Sequence, residues 1–220
     1  MLAQQLIQNS YPTLNLFDKI SFALQLMEDY DVLHLPVLNE EKFVGLIGKD
    51  ELLDAADESN SIASIEDQLI HAFVKAEEFF LTAVKSIAQH QLTAIAVVND
   101  QTELLGIITL PQLINYFAHF LGTEEPGGII VLETEKRHFS FGELSRLVET
   151  NDAYITQLNT SVEAETGLIL VTIKINKAEI SDIVATLQRY DYSIKYYFGE
   201  EQYGNQLKEN FNQLMFYLNI

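Results

Sequence analysis

The residues of this chain that could do acid–base, nucleophilic or metal chemistry are five histidines and 32 carboxylates, with no cysteine among them. His34, His71, His90, His119 and His138 are scattered, without the spacing that lets imidazoles share a metal ion. The lack of cysteine excludes a thiolate metal site, a cysteine nucleophile and a disulfide framework, and it fits a reducing compartment. No Gly-x-Ser-x-Gly elbow, P-loop or dinucleotide fingerprint occurs. Glu77-Glu78 and Glu200-Glu201 are adjacent pairs. Neighbours on a helix do not face one another, so these read as solvated charge rather than a working dyad. The inventory speaks against catalysis. His34 borders the apolar run Leu35–Leu38, and reads either as a satisfied half-buried imidazole or as one wall of a ligand slot.

Charge narrows the partners. Thirty-two acidic against 13 basic residues give a formal net charge of −19. Such a surface repels phosphate backbones and anionic membranes, so neither nucleic acid nor a membrane is an expected partner. Its plain role is solubility. With 220 residues, 48% hydrophobic and 20% charged, the chain fits one domain or two with proper cores. No apolar run reaches bilayer-spanning length. Met1–Gln5 lacks the basic start and long apolar stretch of a secretory signal, so a cytoplasmic location is expected.

The elements that must position these groups come as a repeat. Lys19–Tyr30 has Ile20, Ala23, Leu24 and Met27 at helical spacing, with Asp18 as its expected N-cap. Val32–Leu38 and Phe43–Ile47 read as a hairpin across Asn39–Lys42, and Lys49–Ala56 as the following helix. The order then recurs as a helix over Glu78–Gln89, strands over Ala94–Val98 and Leu104–Ile108, and a helix over Pro111–Phe120. Ala83, Val97 and Asn99 repeat Ala23, Val37 and Asn39 at a constant offset, and Gly106 repeats Gly45 one residue later, so the second turn carries an insertion. Two copies argue for a paired module rather than a solenoid. Gly122–Gly128 is a breaker cluster and the expected linker. Beyond it come a strand over Ile129–Glu135, a helix over Ser140–Glu149, a hairpin of Ala153–Glu163 with Leu168–Ile175, a helix over Glu179–Arg189 and a strand over Ser193–Phe198. The order βαββαβ is the ferredoxin-like split unit. Leu207, Phe211, Leu214, Met215 and Leu218 predict a C-terminal helix over 201–220 that packs on a neighbouring domain or subunit.

A helix, a strand through Leu35-Pro36-Val37, a polar turn, a strand with Gly45 or Gly106 before two apolar residues, and a closing helix resemble the CBS domain. Two in tandem resemble a Bateman module, with copies over 1–61 and 62–121. Gly142-Glu143-Leu144-Ser145-Arg146-Leu147 resembles the helix entry of the ACT domain, although Phe141-Gly142 stands where Pro-Gly is usual, so residues 129–200 are expected to be ACT-like. The combination is similar to acetoin-utilisation regulatory proteins. The overall expectation is an α+β chain, a pseudo-two-fold CBS pair followed by an ACT-like domain.

The resemblance implies a chemistry. CBS pairs bind adenosine-containing ligands in clefts between the copies. In the family pattern Gly-h-h-Ser/Thr-x-x-Asp the hydroxyl meets phosphate and the carboxylate holds ribose. These positions are Gly48 and Glu51 in copy one, Thr109 and Gln112 in copy two. Neither ribose position is Asp. The adenine slots are expected at His34, Leu35 and Pro36, and at Thr93, Ala94 and Ile95. Lys49 and Lys75 are the nearest cations in sequence, so AMP or an uncharged adenosyl compound fits better than a polyphosphate. The ACT resemblance implies an amino-acid site at the loop before the helix, with Gly142 allowing close approach; a plain helix-entry turn is the alternative. A non-catalytic sensor acting on a protein partner, and forming a homodimer, is the leading expectation. A ligand-free scaffold or accessory subunit is the alternative.

Overall fold

A computed structural model describes residues 1–8 and 10–199. The predicted helix over 201–220 lies outside the described residues. The chain divides into two units, Met1–Ala118 and the part from His119 onward.

The first unit is built from the repeated hairpin. In copy one, β1 (Leu14–Asn15) pairs parallel with β2 (His34–Asn39), and β2 pairs antiparallel with β3 (Lys42–Gly48). Helix α1 (Ile20–Tyr30) precedes the hairpin and the short α2 (Lys49–Leu53) follows it. Copy two repeats this with β4 (Phe73–Lys75), α3 (Leu81–His90), β5 (Ala94–Val98), β6 (Leu104–Thr109) and α4 (Leu110–Phe120). Its strands have the same order and senses. The inner strands are short and apolar because both faces are covered, and all five residues of β5 are buried. Asp31 and Gln91 end their helices in the left-handed conformation, at matching places in the two copies.

Each copy is completed by a segment that precedes the other. The short 3-10 helix Ala3–Leu6 puts Ala3 and Leu6 into the second copy's core, and the Ala3 and Gln4 amides donate to Glu78 O and Ala76 O at 2.8 and 3.0 Å. The 3-10 turns over Ile62–Gln68 give Ile62 and Ile65 to the first copy's core, where the Ile62 amide donates to Asp18 O at 2.9 Å. Leu46 of β3 lies in the second core as well. Asp18 does not cap α1. Its carboxylate accepts from the Asn15 amide at 2.7 Å, tightening the turn before the helix, and Lys19 is the N-cap residue.

The second unit has the order β7 (Gly128–Thr134), α5 (Phe141–Glu149), β8 (Ile155–Val162), β9 (Ile169–Ile175), α6 (Ser181–Arg189) and β10 (Ser193–Phe198). Its sheet runs β10-β7-β9-β8, all antiparallel, which is the ferredoxin-like arrangement. One face carries Ile130, Leu132, Val171, Ile173 and Ile175, packed with Leu144, Leu147, Ile183 and Leu187 from the helices. Ser140 caps α5 by accepting from the Glu143 amide at 3.3 Å.

Candidate functional site

The antiparallel register sets His34 opposite Gly48 and Ala94 opposite Thr109. The two places where chemistry is expected are therefore equivalent in backbone, and their side chains differ.

In copy one, Glu51 folds back over Gly48. A Cβ built on Gly48 would stand 2.3 Å from Glu51 Oε2 and 3.5 Å from His34 Nε2. A side chain at this position would displace that carboxylate, the mobile end of Glu51. His34 Nδ1 meets Thr93 Oγ1 at 2.8 Å and receives the Thr93 amide at 3.4 Å. Nδ1 is thus an acceptor, and the neutral ring carries its proton on Nε2. Burial holds the His34 imidazole below its usual value, opposed by the nearby carboxylates of Glu51 and Asp50. The Tyr11 hydroxyl donates to His34 O at 2.7 Å, and burial pushes its pKa up to about 12. A strand start of copy one is thereby tied to a strand start of copy two.

In copy two the equivalent space is open. A cavity of about 370 Å³ lies beside Thr109, lined by Tyr11, Pro12, Tyr30, Asp31, Leu33, Thr93 and Pro111 among others. Among the described residues its lining contains no lysine, arginine or histidine, and Asp31 adds a carboxylate. The start of α4 offers little to a phosphate: the Leu110 amide donates to Thr93 O at 2.8 Å, and Pro111 has no amide proton.

Of the residues expected at the slots, Thr93 and Thr109 line this cavity. Leu35, Ala94 and Ile95 are fully buried members of the cores, so their side chains are committed to packing, and none of them lines the cavity. Pro36 is buried in β2. Gln112 is half-buried and does not line the cavity; its Oε1 is buried without a hydrogen-bond partner among the described residues. Gly142 sits inside α5, and a Cβ added there would meet nothing within 4 Å, so close approach does not require it. Lys75 is engaged with Asp100 at 2.9 Å on an exposed surface, away from the cavity lining. Tyr11, Tyr30 and Asp31 are among the lining residues that sequence reasoning missed.

A second concavity of about 380 Å³ runs between α3 and α4, walled by Val84, Ile87, Leu113, Ile114 and Phe117. Thr93 lines both this groove and the cavity beside Thr109. Among the described residues no group of three or more histidine or acidic side chains could hold a metal ion. Among them, no helix is long and apolar enough to cross a membrane.

Comparison with known proteins places this geometry. The model of the CBS domain matches residues 3–58 and 70–119. A CBS domain pair/ACT domain protein from Thermotoga maritima is similar in structure, with a TM-score of 0.50 and 22% identity over 55% of this chain and 99% of that one. A protein assigned to acetoin utilization, AcuB from Vibrio cholerae, matches with a TM-score of 0.48 and 20% identity over 57% and 96% of the two chains. CBSX2, solved in complex with AMP, matches with a TM-score of 0.47 and 15% identity over 55% and 98%. CBS pairs are generally regulatory rather than catalytic modules. With two family matches falling on the two copies of the repeat, the chain is a CBS-domain protein whose first unit is the CBS pair.

Proposed function

We propose that the first unit is a sensor for an adenosyl ligand of low phosphate charge, held in the cavity beside Thr109. The observation that carries this reading is the cavity itself. It is large enough for a nucleoside, it is edged by Tyr11 and Tyr30, and among the described residues its lining holds hydroxyls and one carboxylate but no cation. Aromatic rings suit a base, and Asp31 can accept from ribose hydroxyls in place of the carboxylate that Gln112 lacks. A triphosphate would enter uncompensated, on a chain of net charge −19.

The signal follows from the hydrogen bonds. A ligand against Tyr11 and Thr93 touches the two groups bonded to His34, and so biases how the copies sit together. It does so only by binding one arrangement more tightly than another. Thr93 also walls the α3–α4 groove, which links occupancy to a helix surface where a protein partner can read it.

A thermal-shift series on the full chain tests the reading with adenosine, methylthioadenosine, AMP and ATP. A dose-dependent rise is expected for the first three, with ATP weakest. No rise with any of them at millimolar concentration would overturn it.

A second reading, an interaction module without a ligand, is favoured by the apolar α3–α4 groove, whose occupant would be a second copy of this chain. Ile114 is 56% exposed at its edge. A dimer in sedimentation that Ile114→Lys converts to monomer supports it, and a wild-type monomer removes it.

A further inference from the structure

Strand β10 turns two aromatic rings to the sheet face away from the core, and a local irregularity aims them there. Ile194 packs with the core of the second unit, so strict alternation would send Tyr196 and Phe198 inward and Tyr197 outward. The pairing of β10 with β7 shifts between Ile194 and Tyr196. Beyond the shift it is Tyr197 that packs with the core. Tyr196 and Phe198 face the other way, edge to face with 5.7 Å between ring centroids, and they are 45% and 55% exposed. A bulge that re-aims side chains is a built feature of a strand. An edge strand that stays in water is better served by charge than by two aromatic rings.

The register extends the apolar face. Tyr196 lies opposite Val131 and Phe198 opposite Ile129, and neither β7 residue belongs to the core cluster. Helices α5 and α6 pack on the other side of the sheet, through Leu144, Leu147, Ile183 and Leu187. The polar side chains of the outer face, such as Thr172 and Asn159, lie toward β9 and β8. The β10–β7 half is the apolar one.

The chain leaves the sheet on this half, because β10 ends at Phe198 beside the start of β7. Residues 200–220 follow, outside the described residues. In sequence Leu207, Phe211, Leu214, Met215 and Leu218 fall on one face of a helical period. A helix this short draws its stability from packing that face against something apolar. Reach favours the nearest apolar face. Residues 199–206, with a glycine at 199 and another at 204, can span about 25 Å extended. The four strands of the sheet are crossed in about 15 Å. A helix over 207–218 would be about 18 Å long, close to the length of a six-residue strand.

We propose that the segment 207–218 docks as a helix on the outer sheet face of its own unit, its apolar stripe covering Ile129, Val131, Tyr196 and Phe198. The sheet then lies between helices on both sides. No residue of this contact lines the nucleoside cavity, so the proposal stands apart from that reading.

The chain has no cysteine, so one nitroxide can be placed on the full chain at Gln213→Cys, on the polar side of the stripe. Amide signals of 129–131 and 196–198 should be broadened more than those of 144–148 and 183–187. Nitroxide-bearing chain without isotope label, mixed with isotope-labelled chain without nitroxide, should broaden nothing. Broadening that appears in the mixture places the segment on a second copy and overturns the proposal. Broadening elsewhere, or none, also overturns it. Tyr196→Asp and Phe211→Asp should each lower the melting temperature of the second unit, and the double variant should lose less than the sum. Strictly additive losses would contradict the contact. Should either variant unfold the unit, the nitroxide experiment decides alone.

Discussion

At the end of β3 the first copy has Gly48, and Glu51 lays its carboxylate over it; at the end of β6 the second copy has Thr109, and a cavity of about 370 Å³ stands open beside it. The backbones are the same, since His34 faces Gly48 as Ala94 faces Thr109. What differs is a handful of side chains. His34 reaches across to Thr93, whereas Ala94 has nothing to reach with. The comparison teaches that a duplicated fold does not duplicate a site. One copy has spent its polar groups on itself and on the contact between copies, and the other has kept them facing a space.

The largest effect should come from breaking the idea that the copies are separable. Leu46 belongs to the first copy's hairpin but is fully buried in the second copy's core. Leu46→Ala should cost about 2–5 kcal/mol. Chemical denaturation should show both copies lost in one transition of the first unit; two separated transitions would show independent copies.

A smaller effect should distinguish the two pockets. Gly48→Ala places a methyl where Glu51 Oε2 now lies, 2.3 Å away, so the Glu51 side chain must swing out. Stability should change by no more than about 1 kcal/mol, because only the end of a flexible side chain has to move. Nucleoside binding at Thr109 should stay unchanged in a titration.

Acid sharpens the contrast, because the second copy has Ala94 where the first has His34. Burial lowers the His34 pKa in the folded state, so on acidification the unfolded chain takes up its proton first. The His34 contribution is therefore neutral well above the ordinary histidine value and destabilising as pH falls through it toward the lowered folded value. The wild type should lose melting temperature from pH 7.5 to 5 by more than His34→Gln does. Parallel curves would sink the role given to that bond.

A comparably small effect lies in the turns. Asn99 Oδ1 accepts from the Gln101 and Glu103 amides at 3.0 and 2.9 Å, holding the turn that carries the inserted residue. Asn99→Ala should cost on the order of 1 kcal/mol. Asn39→Ala, at the equivalent place, should move the denaturation midpoint less.

Much of this was legible in the chain. Short apolar runs, alternation and the offset between copies located the hairpins, and Ser193–Phe198 has the bounds that its pattern predicts. These signals are local, and periodicity records them. The reciprocal closing of each copy by the other's leading segment was not legible, because Ala3–Leu6 and Ile62–Gln68 look like ordinary short apolar turns. Nor was the cavity wall. Tyr11, Tyr30 and Asp31 come from a connecting segment and the end of α1, and they meet Thr109 only when the copies pack. Asp18 misled because a carboxylate before an apolar periodic run suits both a cap and the turn it in fact holds. The family pattern pointed to Gln112, but that side chain lies outside the cavity lining, and Asp31, a carboxylate just past the end of α1, lies in it.

The central claim is that the second copy's cavity, not the first copy's, receives the ligand. Calorimetric titration of adenosine into the wild type, Thr109→Trp and Gly48→Trp tests it most directly. The account predicts saturable binding that Thr109→Trp abolishes and Gly48→Trp leaves within about threefold. Binding lost in Gly48→Trp and kept in Thr109→Trp would contradict it.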